Sequence, residues 1–260
     1  MRKTHLIATA LAALIVSSSV AHAEPRKSPL EGQPAVRHRY ELRDKRFEVG
    51  PAVWFSLNRA LRHSIAVGAK LQFHLTDYLA LGAEIGYGFG LDTGLAGEIE
   101  GTFAPANTKA WETHKSKFSD INLIGDVRVA FTPFAGKMGI FGKLFLAYDF
   151  YAFGGFGFAM TKNNTDDAGA NETNEGFRPG AVWGFGMHLF FTKWMAMTVE
   201  VKDLMFQDNE SGQDITRGTS EAELTQKKVL VDSSDRQFKN HFFVGIGFTF
   251  LLPGNPKTSN

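Results

Sequence analysis

Bulky apolar residues alternate with small or polar residues over the stretch 64–89. Apolar side chains fill every second position in two runs, 65–75 and 79–89, which Thr76 and Asp77 separate. Period two is the side-chain period of a β-strand, so the stretch predicts a hairpin. Each arm has about twelve residues, close to the length that a tilted strand needs to cross a bilayer. Because the opposite face carries small and charged residues, the apolar face is predicted to contact lipid.

The same alternation predicts six further strands, and the chain as a whole is predicted to be all-β. These strands lie at about residues 47–57, 121–131, 144–150, 181–191, 195–201 and 242–250. Eight strands of this kind predict an antiparallel transmembrane β-barrel with an up-and-down meander. Short connections are predicted at 76–77, 132–139 and 192–193, and long loops at 90–117, 161–176 and 208–237. Outer-membrane barrels have tight periplasmic turns and long surface loops, and an even strand number places both termini in the periplasm.

The N-terminal residues indicate export. Arg2 and Lys3 precede an apolar run at 6–16, and Ala21-His22-Ala23 is a signal-peptidase site, so residues 1–23 are predicted to be a cleaved signal peptide. Residues 24–46, rich in Pro and charge, are predicted to be a flexible periplasmic leader, with a docking arm as the alternative. The barrel is assigned to 47–252 and a tail to 253–260. The predicted location is the Gram-negative outer membrane.

Composition excludes several classes of function. The full chain has 28 Lys and Arg against 27 Asp and Glu, and loss of the signal peptide leaves a nearly neutral protein. Nucleic-acid binding requires a basic surface, so no nucleic-acid partner is predicted. The chain has no cysteine, which excludes thiolate chemistry, disulfides and a lipid anchor on an N-terminal Cys. Asn163, Asn164, Asp166 and Asp167 lack the rest of a calcium-loop pattern, and no metal or cofactor is predicted.

Nine charged residues fall on the faces opposite the apolar ones. They are Glu48, Lys70, Glu84, Asp126, Arg128, Lys143, Asp149, Glu200 and Lys202, with Gln72, His74, Asn122 and His188 among them. The interior of an eight-stranded barrel is only wide enough for side chains, and buried charges must pair. The set therefore predicts a structural charge network that occludes the lumen.

Three functions remain compatible with this pattern. The favoured one is a non-catalytic membrane protein that serves as a structural or adhesive component or as part of a surface complex. The first alternative is a narrow, porin-like channel for ions or small solutes. The second is a soluble calyx for an apolar ligand, which would need the bulky face turned inward. Catalysis is disfavoured because His63 and Ser64 are adjacent, so that their side chains point to opposite faces of a strand.

Three segments resemble a known family. Arg37-His38-Arg39-Tyr40, the stretch R-F-E-V-G-P at 46–51 and F-H-L-T-D-Y-L-A-L-G-A-E at 73–84 resemble the outer-membrane β-barrel domain family that is frequent in myxobacteria and their relatives. The resemblance implies a small barrel but no particular chemistry, so it assigns no site residues. Gly245, Phe248 and Phe250 of the last strand resemble the signal that barrel-assembly machinery reads. The predicted partners are therefore outer-membrane lipid and, during biogenesis, that machinery.

Overall fold

The computed structural model describes residues 43–140, 144–216 and 231–254. The predicted signal peptide, most of the predicted leader, Lys143 and the tail from residue 255 lie outside the described residues. The described part contains eight strands, two α-helices and one 3-10 turn. In chain order they are β1 (Phe47–Ser56), β2 (Arg62–His74), β3 (Leu79–Asp92), α1 (Gly94–Lys115), β4 (Asp120–Ile140), β5 (Leu144–Lys162), α2 (Ala168–Asn174), β6 (Gly176–Phe190), β7 (Met195–Asp208), a 3-10 turn (Ser233–Asp235) and β8 (Gln237–Leu252).

The eight strands form a closed antiparallel barrel. Each strand pairs with the next along the chain, and β8 pairs with β1 to close the ring. The predicted eight-stranded up-and-down meander is therefore confirmed. The hairpin predicted from the alternation over residues 64–89 is formed by β2 and β3. Their register runs without a break over thirteen pairs. An unbroken register keeps the two apolar faces on one side of the sheet, because directly paired residues share a face.

The apolar side chains face outward and the charged ones inward. Leu71, Ile85 and Phe248 are 52%, 53% and 48% exposed, whereas Lys70 and Arg128 are 4% and 1% exposed. A water-soluble calyx would show the reverse distribution. The bulky outer face runs around the ring and forms what we call the apolar belt, which includes Phe55, Tyr87, Phe89, Val127, Phe156, Phe185 and Ile246.

One predicted turn is instead strand. The sequence predicted a connection at 132–139, but β4 continues to Ile140 and pairs with β5 along this stretch. The register shifts between Phe131 and Phe134, next to Pro133. Proline has no N–H to donate to the ladder, so it favours such an irregularity. The shift changes the phase of the alternation, which made the continuing strand look like a turn.

Two of the predicted loops contain helices. α1 lies in the predicted loop 90–117 and α2 in the predicted loop 161–176. The side chains of Thr93 and Asp167 cap their N-termini by accepting backbone N–H bonds, as N-cap residues do. Most of the described side chains of α1 are exposed. An exposed helix needs no apolar stripe, which is why the sequence shows no helical signal there. Neither described helix is long and apolar enough to span a membrane.

The end of the predicted leader is packed against the barrel. Arg43 and Arg46 are each 3% exposed. The N–H of Arg43 donates to Asp77 in the β2–β3 turn at 2.7 Å, and the Arg46 side chain donates to carbonyl oxygens that include that of Pro253 at 3.0 Å. Residues 43–46 thus differ from the flexible segment that their composition predicted, because buried carbonyl and carboxylate oxygens pair with the two guanidinium groups.

Candidate functional site

The centre of the lumen is organised around one guanidinium group. Arg128 on β4 donates to both carboxylate oxygens of Asp126 at 2.5 and 2.6 Å, to Glu84 on β3 at 2.8 Å and to Glu200 on β7 at 2.7 Å. Its guanidinium carbon also lies 4.0 Å from the ring centroid of Phe153. Arginine suits this position because its planar group presents several donors in fixed directions.

Two lysines complete the central group. Lys202 on β7 pairs with Glu84 and lies 3.6 Å from Asp126. Lys70 on β2 lies 3.2 Å from Glu200 and 3.0 Å from the hydroxyl of Tyr151, which itself donates to Glu200 at 2.8 Å. Three carboxylates thus face three cations, and the central group is electrically balanced.

A second group lies toward the short-turn end of the lumen. Glu48 on β1 lies 3.0 Å from Nε2 of His74 and 3.1 Å from Nε2 of His188. The other ring nitrogen of His188 lies 2.8 Å from Asp149, and Arg43 pairs with the same carboxylate. All five side chains are buried.

His188 bridges two carboxylates, one at each ring nitrogen. A carboxylate that is ionised can only accept a hydrogen bond, so both nitrogens of His188 must carry hydrogens if Glu48 and Asp149 are both charged. Arg43 gives this group a permanent positive charge beside Asp149, and His74 adds a second imidazole contact to Glu48.

Aromatic rings fill the space that the charges leave. Trp54, Tyr151, Phe153 and Phe243 are all buried inside the barrel. The Lys202 ammonium lies 4.8 Å from a Trp54 ring, a cation–π contact. The inward residues predicted from the sequence do not include Tyr151 and Phe153. Continuing the alternation from Asp149 along β5 would have found both of them.

Two glycines make room for the Trp54 ring. A Cβ at Gly86 would lie 2.9 Å from a ring carbon of Trp54, and one at Gly245 would lie 2.6 Å from another. These contacts are closer than carbon atoms tolerate. Glycine is therefore required at both positions so that a large aromatic ring can fit inside a narrow barrel.

The long-loop end is tied together by polar contacts. Arg59 in the β1–β2 connection donates to the Ser119 carbonyl at 2.6 Å. The Glu210 carboxylate accepts from the backbone N–H groups of Leu61 and Arg62 at 2.7 and 2.8 Å. Asn174 donates to the carbonyl of Lys117. These bonds join the connections between β1 and β2, β3 and β4, β5 and β6, and β7 and β8.

One ion pair at the long-loop end lowers the pKa of a carboxyl group. Lys117 Nζ lies 2.6 Å from Asp167 Oδ2. That bond, together with the N–H of Ala170 at the start of α2, lowers the pKa of the Asp167 carboxyl from its ordinary value.

Most of the predicted lumen residues are buried in the barrel. Eight of the nine are buried inside the barrel and paired in the two groups described, namely Glu48, Lys70, Glu84, Asp126, Arg128, Asp149, Glu200 and Lys202. Lys143, the ninth, lies outside the described residues. Arg43 was not predicted to be a lumen residue, because it lies in a segment without strand periodicity. Within the described part of the chain, no three His, Asp or Glu side chains are arranged to hold a metal ion.

A cavity of about 10 Å³ lies beside Lys70 and Glu200, close to Gly245 and Gly247. Such a volume holds about one water molecule.

A closed meander of eight strands, with an apolar exterior, an ionised interior and long connections at one end, is the architecture of the small outer-membrane β-barrels. No family model matches the chain, and no curated protein matches it. The resemblance to the myxobacterial family therefore stays a prediction.

The solved structures that are similar to this chain include two outer-membrane proteins and one designed barrel. The N-terminal β-barrel domain of Pseudomonas aeruginosa OprF has 10% identity and a TM-score of 0.44, covering 80% of this chain and 98% of that one. The outer membrane protein OprG from the same organism has 9% identity and a TM-score of 0.43, covering 82% and 98%. A de novo designed transmembrane β-barrel has 14% identity and a TM-score of 0.33, covering 80% and 97%. At these values the likeness is limited to the barrel architecture and carries nothing about function.

Proposed function

We propose that this chain is an integral outer-membrane barrel whose lumen is closed by its own side chains, and that it acts as a structural or interaction component of the cell surface. The observation that carries the proposal is the inverted distribution of side chains. Bulky apolar residues remain exposed around the ring, while the acids and bases are paired inside. Water would make such an exterior costly, whereas a bilayer requires it.

The lumen supports a closed barrel rather than a pore. A conducting pore needs ion sites that bind weakly enough to release the ion. Here the carboxylates are already paired with fixed cations at 2.5–3.2 Å, and aromatic rings occupy the space between them. Arg43 enters at one end, and hydrogen bonds join the described parts of the connections at the other.

An interaction role is supported by the long-loop end. α1 has 22 residues, and of its described side chains only Ala96 and Trp111 are buried. The helix thus offers a large polar surface at the end that faces the cell exterior in this proposal. Catalysis is not part of the proposal, because Ser64 lies on the inward face of β2 and its neighbour His63 on the outward face, so the two side chains do not meet.

Membrane insertion is tested by fractionation and by gel migration with and without boiling. A folded membrane barrel resists detergent until it is heated, so a boiled and an unboiled sample should migrate differently. Recovery of the folded protein in the soluble fraction without detergent would contradict the proposal.

Conductance in planar bilayers tests closure of the lumen. We expect no steady conductance from the wild-type protein. The matched variant replaces Arg128, Glu84, Lys70 and Glu200 by Ser, which removes two cations and two anions and so keeps the net charge. This variant should conduct ions. Stable single-channel steps from the wild type would show that the lumen is open and would favour the porin-like alternative.

A further inference from the structure

Residues 43–46, which we call the strap, precede β1 at the short-turn end of the barrel. Their backbone forms a tight turn, in which the N–H of Arg46 donates to the carbonyl oxygen of Arg43 at 2.9 Å. The N–H of Lys45 donates to the carbonyl oxygen of His74, and the N–H of His74 donates to that of Arg46, each at 2.9 Å. The second half of the strap is thus anchored to the end of β2.

Two strap side chains reach strands on the far side of the ring. Arg46 donates to the carbonyl oxygen of Lys193 in the β6–β7 turn at 3.2 Å. Arg43 pairs with Asp149 on β5, and its guanidinium carbon lies 5.2 Å from the ring centroid of Phe190 on β6. The strap therefore connects β2 with β5 and β6 across the short-turn mouth of the barrel.

The two halves of the strap are held by different kinds of partner. Lys45 and Arg46 are bonded to backbone groups, which do not titrate. Arg43 is held by carboxylates, because its side chain pairs with Asp149 and its N–H donates to Asp77 in the β2–β3 turn at 2.7 Å. A change in pH therefore acts on the Arg43 half of the strap and leaves the Arg46 half anchored.

Asp149 belongs to the titratable group of Glu48, His74 and His188 described above, which faces Arg43 from β1, β2, β5 and β6. The residues paired directly with this group on other strands are uncharged, namely Gln72 on β2, Ala80 on β3, Ala135 on β4, Thr198 on β7 and Leu251 on β8. Lys70 on β2 acts on Glu48 from the central group. Further charged residues at this end are Asp44, Lys45, Asp77, Lys137 and Lys193.

A fall in pH changes the charge around Arg43 in one direction only. Protonation of a carboxylate removes a negative charge, and protonation of an imidazole adds a positive one. Either event weakens the attraction between the Arg43 guanidinium and its surroundings, whichever side chain takes up the proton first. Histidine ordinarily changes its charge between about pH 5 and 8, so the response is expected in mildly acidic solution.

We propose that the strap is an acid-sensitive closure of the short-turn mouth. At neutral pH Arg43 is held inside the lumen, and uptake of protons by the surrounding group releases it, while Arg46 keeps the strap attached to the barrel. The inference rests on the proposed function, in which this mouth opens to the periplasm. The central group around Arg128 stays in place, so release of the strap opens a vestibule and not a pore.

A spin label on the strap measures its release. The chain has no cysteine, so Asp44→Cys places a single label on an exposed strap residue next to Arg43. The label is attached at neutral pH to the folded full-length protein in detergent micelles, and its mobility is followed by electron paramagnetic resonance from about pH 7.5 to about pH 4.5. We expect the ratio of mobile to immobile label to rise roughly tenfold over this range.

Two strap variants separate Arg43 from a general effect of charge, because each removes one cation. Arg43→Ser should leave the label mobile at every pH, whereas Lys45→Ser, which removes an exposed side chain, should keep the wild-type response. Replacing both His74 and His188 by Gln removes the imidazoles and should shift release to lower pH. A label on Lys162→Cys, exposed at the other end of β5, should not respond to pH and so reports any general unfolding.

Two results would overturn the inference. One is a label mobility that does not change with pH in the protein with the intact strap. The other is the same pH response in Arg43→Ser, which would show that Arg43 does not hold the strap. Heat-dependent gel migration of the same samples tests the membrane barrel independently. A heat-modifiable barrel whose strap ignores pH would therefore contradict this inference and leave the proposed function standing.

Discussion

Arg128→Met tests whether the central charge network stabilises the barrel. Methionine keeps an unbranched chain of similar length but removes the four hydrogen bonds that the guanidinium donates to Asp126, Glu84 and Glu200. Three buried carboxylates would then face only two ammonium groups, those of Lys70 and Lys202.

The expected cost follows from that imbalance. Removing one partner of a buried ion pair costs about 3–5 kcal/mol, because it leaves an uncompensated charge in a dry environment. Asp126 depends most on Arg128, which binds both of its oxygens. The double variant Arg128→Met/Asp126→Asn removes one charge of each sign, and it should be destabilised less than the single effects predict, with a coupling of about 1–3 kcal/mol.

Urea unfolding of the barrel in lipid vesicles, followed by tryptophan fluorescence, measures these free energies. Trp54 lies beside Lys202 and reports on the lumen. Lys162→Met removes an exposed cation from β5 and is the control, with an expected change within about 0.5 kcal/mol. A free energy of unfolding for Arg128→Met that matches the control would show that water, not protein, solvates these carboxylates.

Two further predictions concern the wall and the loops. Gly155→Ala should prevent correct folding, because a Cβ there would lie 2.1 Å from the carbonyl oxygen of Val127. Gly154→Ala is the control, since its Cβ would lie 3.7 Å from the nearest atom, and it should fold normally. Heat-dependent gel migration distinguishes the two outcomes. The lowered pKa of Asp167 means that its cap on α2 is present above pH ~4 and is lost as pH falls through the folded-state pKa. A protection factor of the Ala170 amide that falls in acid in the wild type but not in Asp167→Asn would demonstrate this loss. A wild-type protection factor that does not change with pH would contradict it.

The strands and their faces could be predicted because both are local properties. Alternation with period two can be seen in one strand without knowing its neighbours. Adjacent residues such as Lys70 and Leu71 are assigned to opposite faces because one is charged and the other is apolar. The bilayer then decides which face is outside. Two elements were missed for different reasons. The register shift after Phe131 interrupted the alternation and hid the end of β4. The exposed helix α1 has no apolar stripe by which it could be predicted.

The pairing inside the lumen could not be predicted in this way. Arg128 binds carboxylates that lie 2, 44 and 72 residues away along the chain. Which of the inward acids it meets depends on the stagger of all eight strands, and that stagger is fixed only when β8 closes on β1. The sequence by itself determined which side chains face the lumen and which face the lipid. Closure of the ring decided which of these side chains contact one another. Arg43, from a segment without any strand pattern, pairs with Asp149 because a buried carboxylate requires a cation.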